Sequence, residues 1–194
     1  MNRLLLLLLA FSFGPLLSFC QDDEKGPGVN GWVLPKDGDT ISGMITYDGF
    51  YVYHRKTKYE PATKYFLKNI KAYRIGDIIW QYECFDIIQP FFPEHTCGFA
   101  RLIATGQVML FSYEGKDMYS EETYTNYYLK KGNNPLLYLV PKNANRFKKE
   151  MSGFFFDYED LKNKINAKEF NYEQMVPMVA TYNEWFSSKE TPQP

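Results

Sequence analysis

The sequence predicts an α+β fold: an N-terminal antiparallel β-meander curling into a small barrel-like sheet, followed by C-terminal helices packed on it. Three observations carry this expectation. Asp-Gly and Gly-Asp turns cut the first half of the chain into short runs. Aromatic side chains, largely Tyr and Phe, make up 18% of 194 residues, too many for a disordered tail and suited to a pleated, half-buried surface. Past Pro141 the apolar residues change from alternation to helical spacing.

The first strands are bounded by Asp37-Gly38 and Asp48-Gly49, dipeptides that supply the positive φ of a two-residue hairpin. Gly31–Lys36, Asp39–Tyr47 and Phe50–His54 then form a meander. Counting outward from two-residue turns pairs Leu34 with Ile41, Trp32 with Gly43 and Ile45 with Val52. One face would carry Trp32, Leu34, Ile41, Ile45, Tyr47, Phe50 and Val52, with Trp32 covering Gly43; the other would carry Ser42, Thr46, Tyr51 and Tyr53. Pro35 lacks an N–H, which in this register puts the first strand at a sheet edge. His54, at the end of the apolar face, reads as a half-buried structural histidine.

Thr63–Leu67, Lys71–Ile75 and Ile78–Phe85 continue the meander, the last two joined by Gly76-Asp77. Ile78, Trp80, Tyr82 and Cys84 share one face, which would point Cys84 inward. Cys97–Ala104 and Gln107–Tyr113 flank Thr105-Gly106, and Thr123–Lys131 and Leu136–Val140 flank Gly132-Asn133-Asn134. In the helical part, Phe147, Met151 and Phe154 recur at helical spacing. Asp157 is placed to cap a segment holding Leu161 and Ile165. Asn171 and Gln174 form a capping pair ahead of Met175, Val179, Tyr182 and Phe186. Pro177 should kink this last helix. The strand-rich region thus covers residues 21–140 and the helical region 141–188, with residues 189–194 a frayed tail.

Residues 1–20 read as a secretory signal peptide. Arg3 gives the positive start, Leu4 to Phe11 an apolar run, and Gly14 and Pro15 a break before Ser18, Phe19 and Cys20. The run is several residues short of the ~20 that span a bilayer, and no later segment is apolar enough to do so. Cleavage before Gln21 is favoured over lipidation at Cys20, because Phe19 is bulkier than a lipoprotein site accepts. The expected location is extracytoplasmic, either periplasmic or secreted, with outer-membrane association if Cys20 is lipidated. Loss of Arg3 moves the formal net charge from −1 to −2, which argues against nucleic-acid binding through phosphate contacts.

Two cysteines remain, Cys84 and Cys97, in a compartment where disulfides persist. Bridging them closes a short loop and contributes roughly 3 kcal/mol in the chain-entropy account. The rival is a metal site from Glu94, His95 and Cys97, which lacks a second close ligand pair. The disulfide is the preferred reading, and no metal or cofactor is assigned.

No nucleophile elbow, phosphate-binding loop, His-Glu-x-x-His motif or dinucleotide fingerprint occurs, so no catalytic residue is assigned. The apolar segment Ile87-Ile88-Gln89-Pro90-Phe91-Phe92-Pro93-Glu94-His95 is bracketed by the cysteines and lacks strand alternation. Ile87, Ile88, Phe91, Phe92 and His95 are therefore either a core plug or a stapled contact loop. The sequence favours a non-catalytic binding module for an envelope protein, glycan or lipid component. The alternative is a hydrolase whose site, drawn from Glu83, Asp86, Glu94 and His95, assembles only in three dimensions.

Gly38-Asp39-Thr40-Ile41-Ser42-Gly43-Met44-Ile45, with Ile70–Ile75, Tyr127-Tyr128-Leu129 and Tyr182-Asn183-Glu184-Trp185, resembles a broad group of uncharacterised exported proteins of Gram-negative bacteria. The resemblance implies an envelope or secreted location and transfers no catalytic residue. The group's last helix is not expected to contain a proline like Pro177.

Overall fold

The computed structural model describes residues 28–88, 93–116, 123–134 and 136–190. The expected signal peptide, Phe91, Phe92 and residues 191–194 of the expected tail lie outside the described residues. Ten strands form one antiparallel sheet: β1 (Val29–Pro35), β2 (Ile41–Tyr47), β3 (Tyr51–Arg55), β4 (Thr63–Phe66), β5 (Ile70–Ile75), β6 (Ile78–Ile88), β7 (Pro93–Ala104), β8 (Val108–Lys116), β9 (Thr123–Lys131) and β10 (Tyr138–Leu139). Their order across the sheet is β10-β9-β8-β7-β6-β5-β1-β2-β3-β4. Three helices follow, α1 (Ala144–Phe154), α2 (Glu159–Asn166) and α3 (Met175–Glu190). The α+β expectation holds, but the sheet is open.

The sheet nonetheless curls strongly. β4 joins β5 through only Leu67–Asn69, a single 3₁₀ turn, although β3, β2 and β1 lie between them in the sheet. Four flat strand spacings would be about 19 Å, and the four residues from Phe66 to Ile70 reach at most about 14 Å. At the other end, Lys130 on β9 places its ammonium 2.8 Å from the Glu83 carboxylate on β6, across three spacings of roughly 14 Å when flat.

The open sheet packs against different cores on its two faces. Val33, Ile45, Val52 and Tyr73 pack with Trp80 and Phe99 on one face. Phe85, Ala100, Phe111 and Tyr128 form a second core on the other. The buried side therefore changes along β6 between Trp80 and Phe85, and between the adjacent residues Phe99 and Ala100 on β7. A barrel keeps a single face inside all the way round, and this sheet does not.

The helices cover the Val33 face of the second half. Val108, Leu110 and Leu129 meet Phe147, Met151, Leu161, Ile165, Met175, Met178, Val179 and Tyr182 in the largest core. Two polar fasteners fix this layer. Asn183 on α3 accepts from the Val108 N–H at 2.9 Å and donates to the Val108 carbonyl at 2.9 Å. It lies so close to Gly106, at φ 147°, that a side chain there would overlap it. Lys131 donates to Asp157 at 2.9 Å and to the Phe154 carbonyl at 3.1 Å, while the Tyr182 hydroxyl donates to Asp157 at 2.7 Å. Burial alone would raise the Asp157 carboxyl, but the hydrogen bonds and the Lys131 charge outweigh it and hold it below the usual range.

Several sequence expectations need correction. The first turn has an odd number of residues, so Val33 pairs with Ile41 and Trp32 with Ser42; a one-residue slip exchanges the faces. Val33, not Trp32 or Leu34, is therefore buried. The second hairpin slips by two, pairing Ile45 with His54 and Tyr47 with Val52, which preserves the faces. Gly43 is covered by the His54 ring rather than by Trp32. His54 is 8% exposed and its Nε2 lies 3.1 Å from the Ser42 carbonyl, a structural role.

β1 is interior, not an edge: it pairs β2 on one side and β5 on the other. Pro35 sits at its last residue, beside a register shift, where the missing donor disturbs little, and Lys36 N–H resumes the bonding to the Asn69 carbonyl at 2.8 Å. Asp157 does not cap α2; Tyr158 is the N-cap residue and Asp157 turns to Lys131. The Asn171–Gln174 capping box is present. Pro177 falls in the first turn of α3, where helix N–H groups have no intrahelical partner. The helix also continues through Lys189 and Glu190, which the expected tail included.

Candidate functional site

β6 and β7 are eleven and twelve residues long and pair with each other from Ile79↔Leu102 to Ile88↔Pro93. Their outer neighbours stop early. β5 pairs β6 only from Ile75↔Ile78 to Ala72↔Gln81, and β8 pairs β7 only at Arg101, Leu102 and Ala104. Beyond Gln81, β6 thus has no strand neighbour on the β5 side among the described residues. The β6–β7 hairpin is an arm that extends past its strand partners and lies over β8 and β9, where the Tyr128 hydroxyl donates to the Asp86 carbonyl at 3.1 Å.

The Cys84–Cys97 disulfide staples this arm directly across its strands, with a Cα–Cα distance of 4.0 Å. Strand alternation puts both cysteines on the outer face, so Cys84 is exposed rather than inward as expected. The inward side of β6 is instead set by Glu83 and Phe85, both buried. One step further out on the same face as the cysteines, Asp86 pairs with His95. His95 Nδ1 lies 2.9 Å from Asp86 Oδ1, both side chains being well exposed.

The expected contact residues separate here. His95 is exposed on the arm. The backbone of Ile87 and Ile88 completes β6, correcting the expectation that this segment is not a strand, while their side chains lie outside the described residues, as do Phe91 and Phe92. Of the carboxylates considered for a hydrolase, Asp86 meets His95, but Glu83 faces the opposite side of the hairpin. There it accepts from Lys130 at 2.8 and 2.9 Å and from Gln81 at 2.7 Å. The Glu94 side chain lies outside the described residues. Glu83 is thus held away from the Asp86–His95 pair by a saturated ion pair of its own.

A notch opens at the root of the arm, where β5 begins and β6 continues past its last pair with it. It is a cavity of about 340 Å³. Leu34, Ile70 and Ala72 supply apolar walls, Tyr82 an aromatic one, and Lys36, Lys71 and Gln81 the polar groups. The Lys36 ammonium lies 5.0 Å from the Tyr82 ring centroid. No carboxylate lines the notch, so its local charge is positive. These residues escaped sequence reasoning because none forms a motif. The usable signal is the length mismatch: apolar character runs on past Phe85 to Ile88, while β5 begins beside a register shift at Pro35.

The Tyr182-Asn183-Glu184-Trp185 motif is structural. Tyr182 and Asn183 make the fasteners described above, and Trp185 stacks on Tyr158 with centroids 4.3 Å apart. Tyr172 is structural too: its hydroxyl accepts from the Tyr127 N–H and donates to the Thr125 carbonyl, both at 3.1 Å. Burial pushes its phenol up to about 12. Among the described residues no helix is long and apolar enough to cross a membrane. Comparison with protein-family models, with curated proteins and with solved structures finds no match.

Proposed function

We propose that this chain works outside the cytoplasm as a non-catalytic binding module, and that it takes an extended, acidic segment of a partner protein along the free edge of β6. The observation that carries the reading is the notch at the start of β5. It offers a strand edge beyond Gln81 that has no strand partner among the described residues, although its Asp86 carbonyl accepts from the Tyr128 hydroxyl, together with an apolar pocket for one side chain and two lysines beside it. Adding a strand to such an edge draws affinity from main-chain hydrogen bonds and specificity from pockets for alternate side chains. The staple reduces the ordering cost of the arm on binding. Export rests on the signal-peptide pattern and the resemblance of the opening motif; the disulfide agrees with an oxidising compartment.

The test is titration with extended peptides that alternate apolar and acidic residues, alongside neutral and basic counterparts. Acidic peptides should bind, and Lys36→Glu with Lys71→Glu should weaken binding at least tenfold without altering the circular dichroism. Equal binding of the basic peptides, or indifference to the charge reversal, would refute the reading. Preferential binding of an oligosaccharide or a fatty acid would assign the module to a glycan or lipid component instead.

A further inference from the structure

We propose that Cys84, Cys97 and His95 form a redox-gated site for one thiophilic divalent cation of the Zn²⁺ type, closed while the disulfide is intact and opened by its reduction. The two sulfurs and a ring nitrogen of His95 lie within 4.8 Å of one another, and all three residues are exposed. A tetrahedral zinc site, with Zn–S near 2.3 Å and Zn–N near 2.0 Å, keeps its ligand atoms roughly 3.5 Å apart. The exposed side chains can make that adjustment by rotation once the sulfurs are released.

The histidine is already set for the task. Its Nδ1 meets Asp86 at 2.9 Å; in the neutral ring with the Nδ1–H donating to the carboxylate, Nε2 is the atom left to bind a cation. A metal-bound histidine characteristically donates its other N–H in this way, which fixes the tautomer and the ring. The two cross-strand pairs, Cys84↔Cys97 and Asp86↔His95, are successive on one face of a paired hairpin. Three protein ligands on a rigid ribbon leave the fourth tetrahedral position to water.

The gating step balances with a dithiol as reductant. One thiolate of the dithiol attacks a sulfur of the exposed disulfide, breaking the Cys84–Cys97 bond and forming a mixed disulfide. Its second thiolate displaces the remaining cysteine, and the dithiol departs as its own disulfide. Two electrons and two protons have passed to Cys84 and Cys97. Cation binding then expels the two thiol protons, since the thiolate is the ligand.

The experiment uses Co²⁺ as the probe on the mature chain, oxidised or reduced with a phosphine under anaerobic conditions, with circular dichroism recorded in parallel. The reduced protein should bind one Co²⁺ with tetrahedral visible bands and a thiolate charge-transfer band, both abolished by Zn²⁺ displacement and absent from the oxidised protein. Asp86→Asn should weaken binding by about ten- to a hundredfold, as loss of an outer-shell partner does, and His95→Ala by at least tenfold. Cys84→Ser with Cys97→Ser should abolish the charge-transfer band. Absence of that band from folded, reduced protein would overturn the proposal. So would equal affinity in the oxidised form, indifference to His95→Ala, or loss of the fold on reduction.

Discussion

Lys130→Met tests how the curl of the second half is held. Lys130 and Glu83 are separated by β7 and β8 in the sheet, yet the ammonium contacts both carboxylate oxygens, at 2.8 and 2.9 Å. The Glu83 side chain is only 8% exposed and that of Lys130 16%. Removing the ammonium leaves the carboxylate with the Gln81 amide as its remaining donor. Breaking a buried pair from one side costs about 3–5 kcal/mol, because a charge is left desolvated without its partner. That is a large share of the 5–15 kcal/mol typical of a folded domain. Adding Glu83→Leu removes the stranded charge and should restore most of the loss, giving a coupling above about 2 kcal/mol in the double-mutant cycle. Equilibrium unfolding in urea, with the disulfide intact, measures all four corners. A loss below about 1 kcal/mol for Lys130→Met, or simple additivity, would mean that the carboxylate is reached by water and that the curl does not depend on this pair.

Other outcomes follow from the same geometry. Replacing Cys84 and Cys97 together by Ser should lower stability by up to about 3 kcal/mol, through the 13-residue separation released in the unfolded chain; urea midpoints measure it. Asn183→Ala should cost about 1–3 kcal/mol, since the buried Val108 N–H and carbonyl lose their side-chain partner, and hydrogen exchange along α3 should speed up. Asp157 has a depressed carboxyl pKa in the fold, so its stabilising contribution is present above its unfolded value near 4 and is lost as pH falls through the lower folded value. Thermal midpoints of Asp157→Asn should therefore lie below wild type at neutral pH and fall less steeply between about pH 5 and pH 2.

The sequence made the strands and helices legible where local chemistry decides them. The strand 123–131 appears with the bounds read from alternation, and the Asn171–Gln174 box caps as its spacing requires. The cysteine pairing was legible too, because only two cysteines follow residue 20. What local chemistry leaves open is register and the choice of face. One extra residue in the turn after β1 exchanged Trp32 and Leu34 for Val33. Burial of Phe85 on one face and Trp80 on the other reversed the side expected of Cys84. The notch was illegible for a related reason. Its members come from β1, the residue after it (Lys36), β5 and β6, and meet only because the β5–β6 pairing stops at Ala72↔Gln81 while β6 continues.

Hydrogen exchange of the backbone amides of residues 82–88, with and without a saturating acidic peptide, tests the central claim most directly. Strand addition at the free edge of β6 predicts slowed exchange at alternate amides in this stretch and at Lys71, with β4 and β10 unchanged. Saturable binding that leaves these amides unprotected, or that protects the β4 or β10 edge instead, would contradict it.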